Sequence, residues 1–382
     1  MKKTKRVAVI GGGIVGSTAA FYLSKKYDEV DIYDDGIGQA TSAAAGIICP
    51  WLSQRRNKEW YELASKGAAF YPQLMHDLNE PLSDSDIYQQ VGTLVFKKKP
   101  SLLKKLEQIA LKRRETAPEI GDIALLSPKE IKAKFPLYGL EESALFASGG
   151  ARVDGSLLTK KLVDQAIFNG ARHYSEKVIL SHSHPSEYVI RSTTQTKTYD
   201  AVVLAVGAWL PELLNPLGLE VDIRPQKGQL VQLHLQEDMS KWPVIMPDGE
   251  KDIIPFSNGK IIVGATHEND GGYDLTPTKE KLELMLAEAI ELAPGLKNAS
   301  ITSIRVGTRA YTSDFAPFFG AVPNYPNLFT ASGLGSSGLT SGPLIGRMLS
   351  QIVSGEPTDL PLSDYPVEQY IKKNPIKKAE TR

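Results

Sequence analysis

Residues 6–16 read Arg6-Val7-Ala8-Val9-Ile10-Gly11-Gly12-Gly13-Ile14-Val15-Gly16, a β-branched apolar run that stops at three glycines and restarts as an apolar-periodic segment. The first part has the composition of a buried strand. From Ile14 to Lys26, Ile14, Thr18, Phe21 and Tyr22 recur at helical spacing. Val30–Tyr33 reads as a second strand that ends at Asp34-Asp35-Gly36. A strand, a crossover helix and a second strand form a parallel pair. Gly11, Gly13 and Gly16 match G-x-G-x-x-G at the junction. The first allows the tight turn, the second lets backbone approach a pyrophosphate, and the third lets helix and strand pack closely. The helix N-terminus that follows, from Ile14 and Val15, favours negative charge. Asp34, with Asp35 beside it, stands where a carboxylate accepts from ribose hydroxyls, and its charge disfavours the 2′-phosphate of NADP. The motif predicts dinucleotide binding and does not separate FAD from NAD.

Working outward, the 382 residues exceed a single simple core and suit two domains. Lysine plus arginine number 44 and aspartate plus glutamate 44, so no basic surplus points to nucleic acid. Cys49 is the only cysteine, which excludes an intrachain disulfide and a cysteine metal cage. The basic start Met1–Arg6 leads into only four apolar residues before the glycines, too few for an export signal. No apolar run approaches the ~20 residues of a membrane span. The expectation is a soluble cytoplasmic protein with no transmembrane segment. The Lys-rich tail Ile371–Lys378 reads as a solvated end, with contact to an anionic membrane as the alternative.

The middle of the chain reads differently. Tyr88–Lys98 is expected as a strand, Ser101–Glu115 and Pro128–Lys134 as helices, and Gly155–Asn169 as a helix closed by Gly170. Val178–Leu180, Tyr188–Ser192, Ala201–Val206 and Gln229–Leu235 read as strands. Ile253–Phe256 and Lys260–Val263 flank Ser257-Asn258-Gly259, a hairpin signal. Thr276, with Pro277 at the first helical position, opens a helix to about Ala293. Asn327–Ala331 is a last strand and Leu339–Val353 a last helix.

Two further stretches carry chemistry. Thr41-Ser42-Ala43-Ala44-Ala45-Gly46-Ile47 is a small-residue loop whose backbone can lie flat against a ring system, or else an ordinary tightly packed loop. Ser332-Gly333-Leu334-Gly335-Ser336-Ser337-Gly338-Leu339-Thr340 joins a strand to a helix and makes a second place for negative charge. It suits the N1–C2 region of a reduced flavin or, alternatively, a second phosphate.

These stretches together resemble the FAD-dependent D-amino acid oxidase family, which includes glycine oxidase, sarcosine oxidase and D-amino acid dehydrogenases. Ala44–Pro50 is similar to its flavin loop, and Asp200–Trp209 to a nucleotide-domain strand. Pro225-Gln226-Lys227-Gly228-Gln229-Leu230 looks like its lead-in to the substrate sheet, and Ile254-Pro255 with Val263–Thr266 like its hairpin over the flavin.

The resemblance implies an α/β fold. A Rossmann-like FAD-binding domain of residues 1–86, 150–224 and 305–382 would carry an inserted antiparallel-sheet substrate domain of 87–149 and 225–304. It also implies that Val178, Ala205, Gly207 and Trp209 belong to the cofactor wall with the residues above. FAD would be non-covalent, since Cys49 lies in the early loop.

Within Val306-Gly307-Thr308-Arg309, the resemblance makes Arg309 the grip on the substrate carboxylate, near the flavin; a salt bridge to Asp314 is the alternative. Ile47, Asp252, His267 and Ser336 would line the substrate pocket. Ser336-Ser337 replaces an arginine of glycine oxidase-like members, and Asp252 and His267 favour a polar or cationic substrate side chain.

The implied reaction is FAD-dependent oxidation of a small amino acid or N-methyl amino acid (glycine, sarcosine or D-amino acid type) to an imine. Oxygen is the acceptor, or a quinone or carrier in a dehydrogenase reading. An NAD-dependent dehydrogenase, a non-catalytic flavin-binding subunit and homo-oligomer formation stay open.

Overall fold

The computed structural model describes residues 3–83, 85–184, 187–249 and 251–374. The chain divides into two compact units, one of 1–41, 159–226 and 308–382, the other of 42–158 and 227–307.

The first unit is built on a six-stranded sheet. Its order is Phe318–Ala321, Leu328–Ser332, Ala201–Leu204, Lys3–Ile10, Tyr27–Tyr33, Arg172–Tyr174. All neighbours are parallel except the Phe318–Ala321 edge, which is antiparallel to Leu328–Ser332. Val7, Ala8 and Val9 are fully buried, as a central parallel strand covered on both faces requires. The helix Ile14–Ser24 is buried along nearly its whole length because the last long helix, Gly338–Ser354, lies against it. Gly342 and Gly346 permit that approach: a Cβ on Gly346 would stand 2.5 Å from the Val15 carbonyl oxygen and 2.7 Å from Thr18 Cβ. Beside the sheet, Asp31 is fully buried yet satisfied. Arg172 Nε donates to it at 2.6 Å, Lys197 Nζ at 3.1 Å and Tyr199 OH at 2.6 Å, and Tyr33 OH reaches Tyr199 OH at 2.7 Å.

The second unit holds most of an eight-stranded sheet ordered Ser300–Tyr311, Arg224–His234, Lys260–Gly264, Asp252–Pro255, Val244–Met246, Thr93–Val95, Ala144–Ala147, Ile123–Leu126. Alternation along its central hairpin feeds two cores. Ile253, Ile261 and Val263 join Phe135, Trp242 and Met285, while Ile254 and Ile262 join Leu230, Val244 and Phe256. Pro128–Lys134 opens on a full capping box between Ser127 and Glu130.

The mixed α/β fold agrees with the expectation, and several elements correct it. Tyr88–Lys98 is not one strand. Gly92, at φ +83°, turns the chain, so Tyr88–Gln90 pairs with Ala151–Val153 and Thr93–Val95 enters the large sheet. The helix expected from Pro277 begins at Lys279, because Lys227 Nζ donates to the Thr276 carbonyl and the Gln229 side chain accepts from Thr278 N, with Thr278 extended as the helix cap. A 20-residue helix, Lys58–Asp77, is absent from the sequence reading; Asn57 caps it, accepting from Trp60 N at 2.6 Å. Residues 42–86 pack in the second unit, where Ile47–Ile48 pairs with Arg152 and Ala151. Ile371–Lys373 is a strand paired with Leu219–Val221, and Ile371 is buried, so this part of the tail is not a solvated end. Pro375 to Lys378 lie outside the described residues. Among the described residues, no helix is long and apolar enough to cross a membrane.

Candidate functional site

In the first unit the glycine turn is shaped by contacts that leave no room for side chains. Gly11 has φ +101°, and a Cβ there would overlap the Ala205 carbonyl; one on Gly16 would overlap the Gly11 carbonyl oxygen. Gly12 N donates to Asp34 Oδ2, and Asp34 Oδ1 accepts from Gln39 Nε2 at 2.8 Å and Gly36 N at 2.5 Å. Gly13 caps the helix without a side-chain bond, and Ile14 N donates to Thr41 Oγ1 at 3.0 Å. The second glycine turn leaves the Leu328–Ser332 strand through Gly333 and Gly335, both with positive φ, and opens the Gly338–Ser354 helix.

A cleft of about 300 Å³ runs between these features, wholly within the first unit. Gly11, Gly13, Ile14, Val15, Asp34, Asp35, Thr41, Val178, Ala205, Gly207, Trp209, Gly335 and Gly338 line it, so the structure brings together two-thirds of the first unit's expected cofactor residues. The N-terminal ends of the Ile14–Ser24 and Gly338–Ser354 helices therefore face one space, where their peptide dipoles favour negative charge. Gly16 serves the packing behind it. Gly333 shapes the turn, and Ser336 is exposed on that turn with Ser337, Leu339 and Thr340 buried beside it.

The strand that ends at Tyr311 contributes by alternation. Thr308 and Ala310 line the cleft, so Arg309 and Tyr311 occupy the other face of the strand. Arg309 is half-buried, and its Nη1 donates to Gln226 Oε1 at 3.1 Å. Tyr311 sits over the glycine turn: a Cβ on Gly335 would be 2.8 Å from its ring. Asp314, the acid named as the alternative partner of Arg309, accepts from Thr312 Oγ1 at 3.0 Å and Tyr370 OH at 2.9 Å.

The family model described as DAO, FAD dependent oxidoreductase, matches residues 6–352. The chain belongs to the FAD-dependent oxidoreductase family. It is 42% identical over 364 residues to an uncharacterized oxidoreductase of Bacillus subtilis, YurR, covering 94% of this chain and 98% of the relative. It is 30% identical to the glycine oxidase of Pseudomonas putida, covering 92% and 95%. The crystal structure of iminodiacetate oxidase from Chelativorans sp. BNC1 superposes with a TM-score of 0.89 at 35% identity, covering 95% of this chain and 99% of that one. The protein is thus an FAD-dependent oxidoreductase, in a family that acts on amino acid and amine substrates. The cleft fits that cofactor, because its glycine cradle excludes Cβ atoms while presenting backbone and two helix ends to a pyrophosphate.

The other residues singled out in the sequence lie in the second unit of this oxidoreductase. Gly46 has φ +91°, and a Cβ there would overlap the Val153 carbonyl oxygen; Ala45 and Ile47 flank the apolar face formed by Leu230, Ile254 and Met246. Ser42 accepts through its carbonyl from Arg305 Nη1 at 3.1 Å. Cys49 is buried, and loss of water pushes its thiol up to about 12, so it is a packing residue and not a thiolate. His267 is exposed, between buried Thr266 and Glu268.

Asp252 shares its strand face with Ile254, and desolvation pushes its carboxyl from 3.8 up to about 8, with Lys97 opposing. The folded protein then keeps a proton that the unfolded chain releases, so stability is lost as pH rises from about 4 to about 8. Asp252→Asn is expected to raise the melting temperature, by more at pH 8 than at pH 5. An equal shift at both pH values would contradict this account.

Sequence reasoning missed Thr308, Tyr311 and Gln39. The first two were legible from strand alternation around Arg309. It also missed Arg152, which is 1% exposed and donates to the carbonyls of Met239 at 3.2 Å and Ser240 at 3.0 Å, to the Pro255 carbonyl and to Gln89 Oε1. Burial pushes its guanidinium down to about 10. Nothing in the local sequence distinguishes it from a surface arginine.

Proposed function

We propose that this oxidoreductase oxidises the C–N bond of a small amino acid or N-substituted amino acid, with the substrate carboxylate held by Arg309. The observation that carries this reading is the position of Arg309. Arg309 lies in the strand between the cleft-lining Thr308 and Ala310, on the opposite face, which it shares with Tyr311, and its guanidinium bonds to the neutral amide of Gln226. A planar guanidinium meets a carboxylate through two parallel hydrogen bonds, which fixes the orientation of the α-carbon as well as its place. Gln226 accepts from Nη1 at one edge of that fork.

FAD, when bound, supplies the two-electron acceptor for hydride from that carbon. The chain's part is positioning, together with the electrostatic pull of the Gly338–Ser354 helix N-terminus on developing negative charge. The oxidised carbon–nitrogen bond then takes up water and separates into a keto acid and ammonia or an amine.

The relatives support this class. Glycine oxidase and iminodiacetate oxidase both act, by name, on a carboxylate attached through one carbon to nitrogen. The higher similarity to the second favours a secondary amine bearing a carboxymethyl group. Glycine, sarcosine, iminodiacetate, D-alanine and D-proline, assayed aerobically for keto acid and hydrogen peroxide, test the reading. Turnover of iminodiacetate or sarcosine above glycine is the expected order. Keto acid without peroxide assigns electron transfer to a quinone or carrier. No turnover of any carboxylate-bearing amine, with any acceptor, contradicts the proposal.

A further inference from the structure

Among the described residues that line the cleft, one has a buried polar side-chain atom with no hydrogen-bond partner. Thr308 is 2% exposed, lines the cleft, and its Oγ1 has no hydrogen-bond partner among the described residues. A buried hydroxyl left without a partner is costly and rare in native structures. Its own backbone does not use it, because Thr308 N donates to the Gly38 carbonyl at 3.0 Å in a parallel bridge between Gln39 and Thr308. That bridge matters for placement. Gln39 is the residue whose amide holds Asp34, so Thr308 is stitched to the segment that runs from the acid at the glycine turn to Thr41 at the helix N-terminus. The cleft it lines is also walled by glycine backbone and by small apolar groups such as Ala205 and Ala310.

We infer that Thr308 is a cofactor-binding residue whose hydroxyl bonds to an oxygen of the ribityl–diphosphate chain of FAD. The inference rests on FAD occupying this cleft. A hydroxyl suits that part of the cofactor, since it donates to a phosphate oxygen and both donates to and accepts from a ribityl hydroxyl. Ala310, two residues on, faces the same space without a polar group, so along this strand the contact belongs to one position.

Thr308→Val tests this, because valine keeps the shape and removes the hydroxyl. The parent and variant are stripped of cofactor, and FAD binding is followed by flavin fluorescence. The FAD Kd of the variant is expected to rise roughly tenfold, while the melting temperature of the cofactor-free variant stays level or rises, an unpaired buried hydroxyl having been removed. Thr308→Ser, which keeps the hydroxyl, is expected to bind FAD within a few-fold of the parent. A Val variant that binds FAD as tightly as the parent overturns the inference. So does a cofactor-free variant destabilised as much as the loaded one, because the hydroxyl would then have a partner inside the protein. If the parent itself takes up no FAD, the cofactor reading fails first.

Discussion

Arg309→Ala is expected to lower kcat/KM for the carboxylate-bearing substrate by about two to three orders of magnitude while changing the FAD Kd little. The size follows from the interaction removed. A desolvated charge-assisted pair that loses one partner costs about 3–5 kcal/mol, and every 1.4 kcal/mol is a factor of ten. Arg309 lies on the opposite strand face from Thr308 and Ala310, which line the cleft, so cofactor uptake is expected to survive. Arg309→Lys keeps the charge but not the two-pronged geometry, and belongs between the parent and the alanine variant. Measurement of kcat and KM separately adds a check. Misorientation lowers kcat, whereas loss of a plain anchor raises KM alone. An alanine variant with unchanged kcat/KM would remove Arg309 from the substrate site.

The second large effect concerns stability. Asp31→Ala removes a fully buried carboxylate that accepts from Arg172, Lys197 and Tyr199. Arg172 and Lys197 retain access to water and recover part of the loss, but the buried Tyr199 hydroxyl and the Tyr33 hydroxyl bonded to it do not. A cost of about 2–4 kcal/mol is expected, and a melting temperature lower by roughly 5–10 °C for a unit of this size. Because Asp31 lies on the strand that delivers Asp34, the variant is also expected to bind FAD more weakly. Asp31→Asn, which keeps acceptors but not charge, is expected to lose about half as much. A thermal unfolding scan of the three proteins decides; no change on substitution by alanine would mean the network is solvated and contributes little.

The parts of this molecule that were legible in its sequence are those where backbone geometry dictates residue type. Gly11 and Gly16 sit where a Cβ would overlap carbonyl groups, so only one residue type fits and its spacing is readable. The resemblance to the D-amino acid oxidase family and the mixed α/β fold were readable for the same reason, since the turns and hairpins that define them are written in glycine and proline. What escaped depends on partners far along the chain. Lys58–Asp77 contains Gly67 and Pro72, which argue locally against a helix, and its stability comes from burying Trp60, Leu63, Tyr71 and Leu74. Arg152 reads as a surface cation until Met239, Ser240 and Pro255 close around it from about a hundred residues away. Asp252 reads as an ordinary acid, and only the apolar face it shares with Ile254 shifts its proton affinity. The start of the Lys279–Leu292 helix moved because the side chains of Lys227 and Gln229 claim the groups that Pro277 would have placed in its first turn.

The most direct test of the central claim is the visible spectrum of the purified protein, followed without oxygen as glycine, sarcosine, iminodiacetate and D-amino acids are added in turn. The account predicts flavin bands in the parent that bleach with one of these carboxylate-bearing amines, and that bleach far more slowly in Arg309→Ala at the same concentration. Flavin bands that none of them bleaches, or that bleach at equal rates in parent and variant, would contradict it.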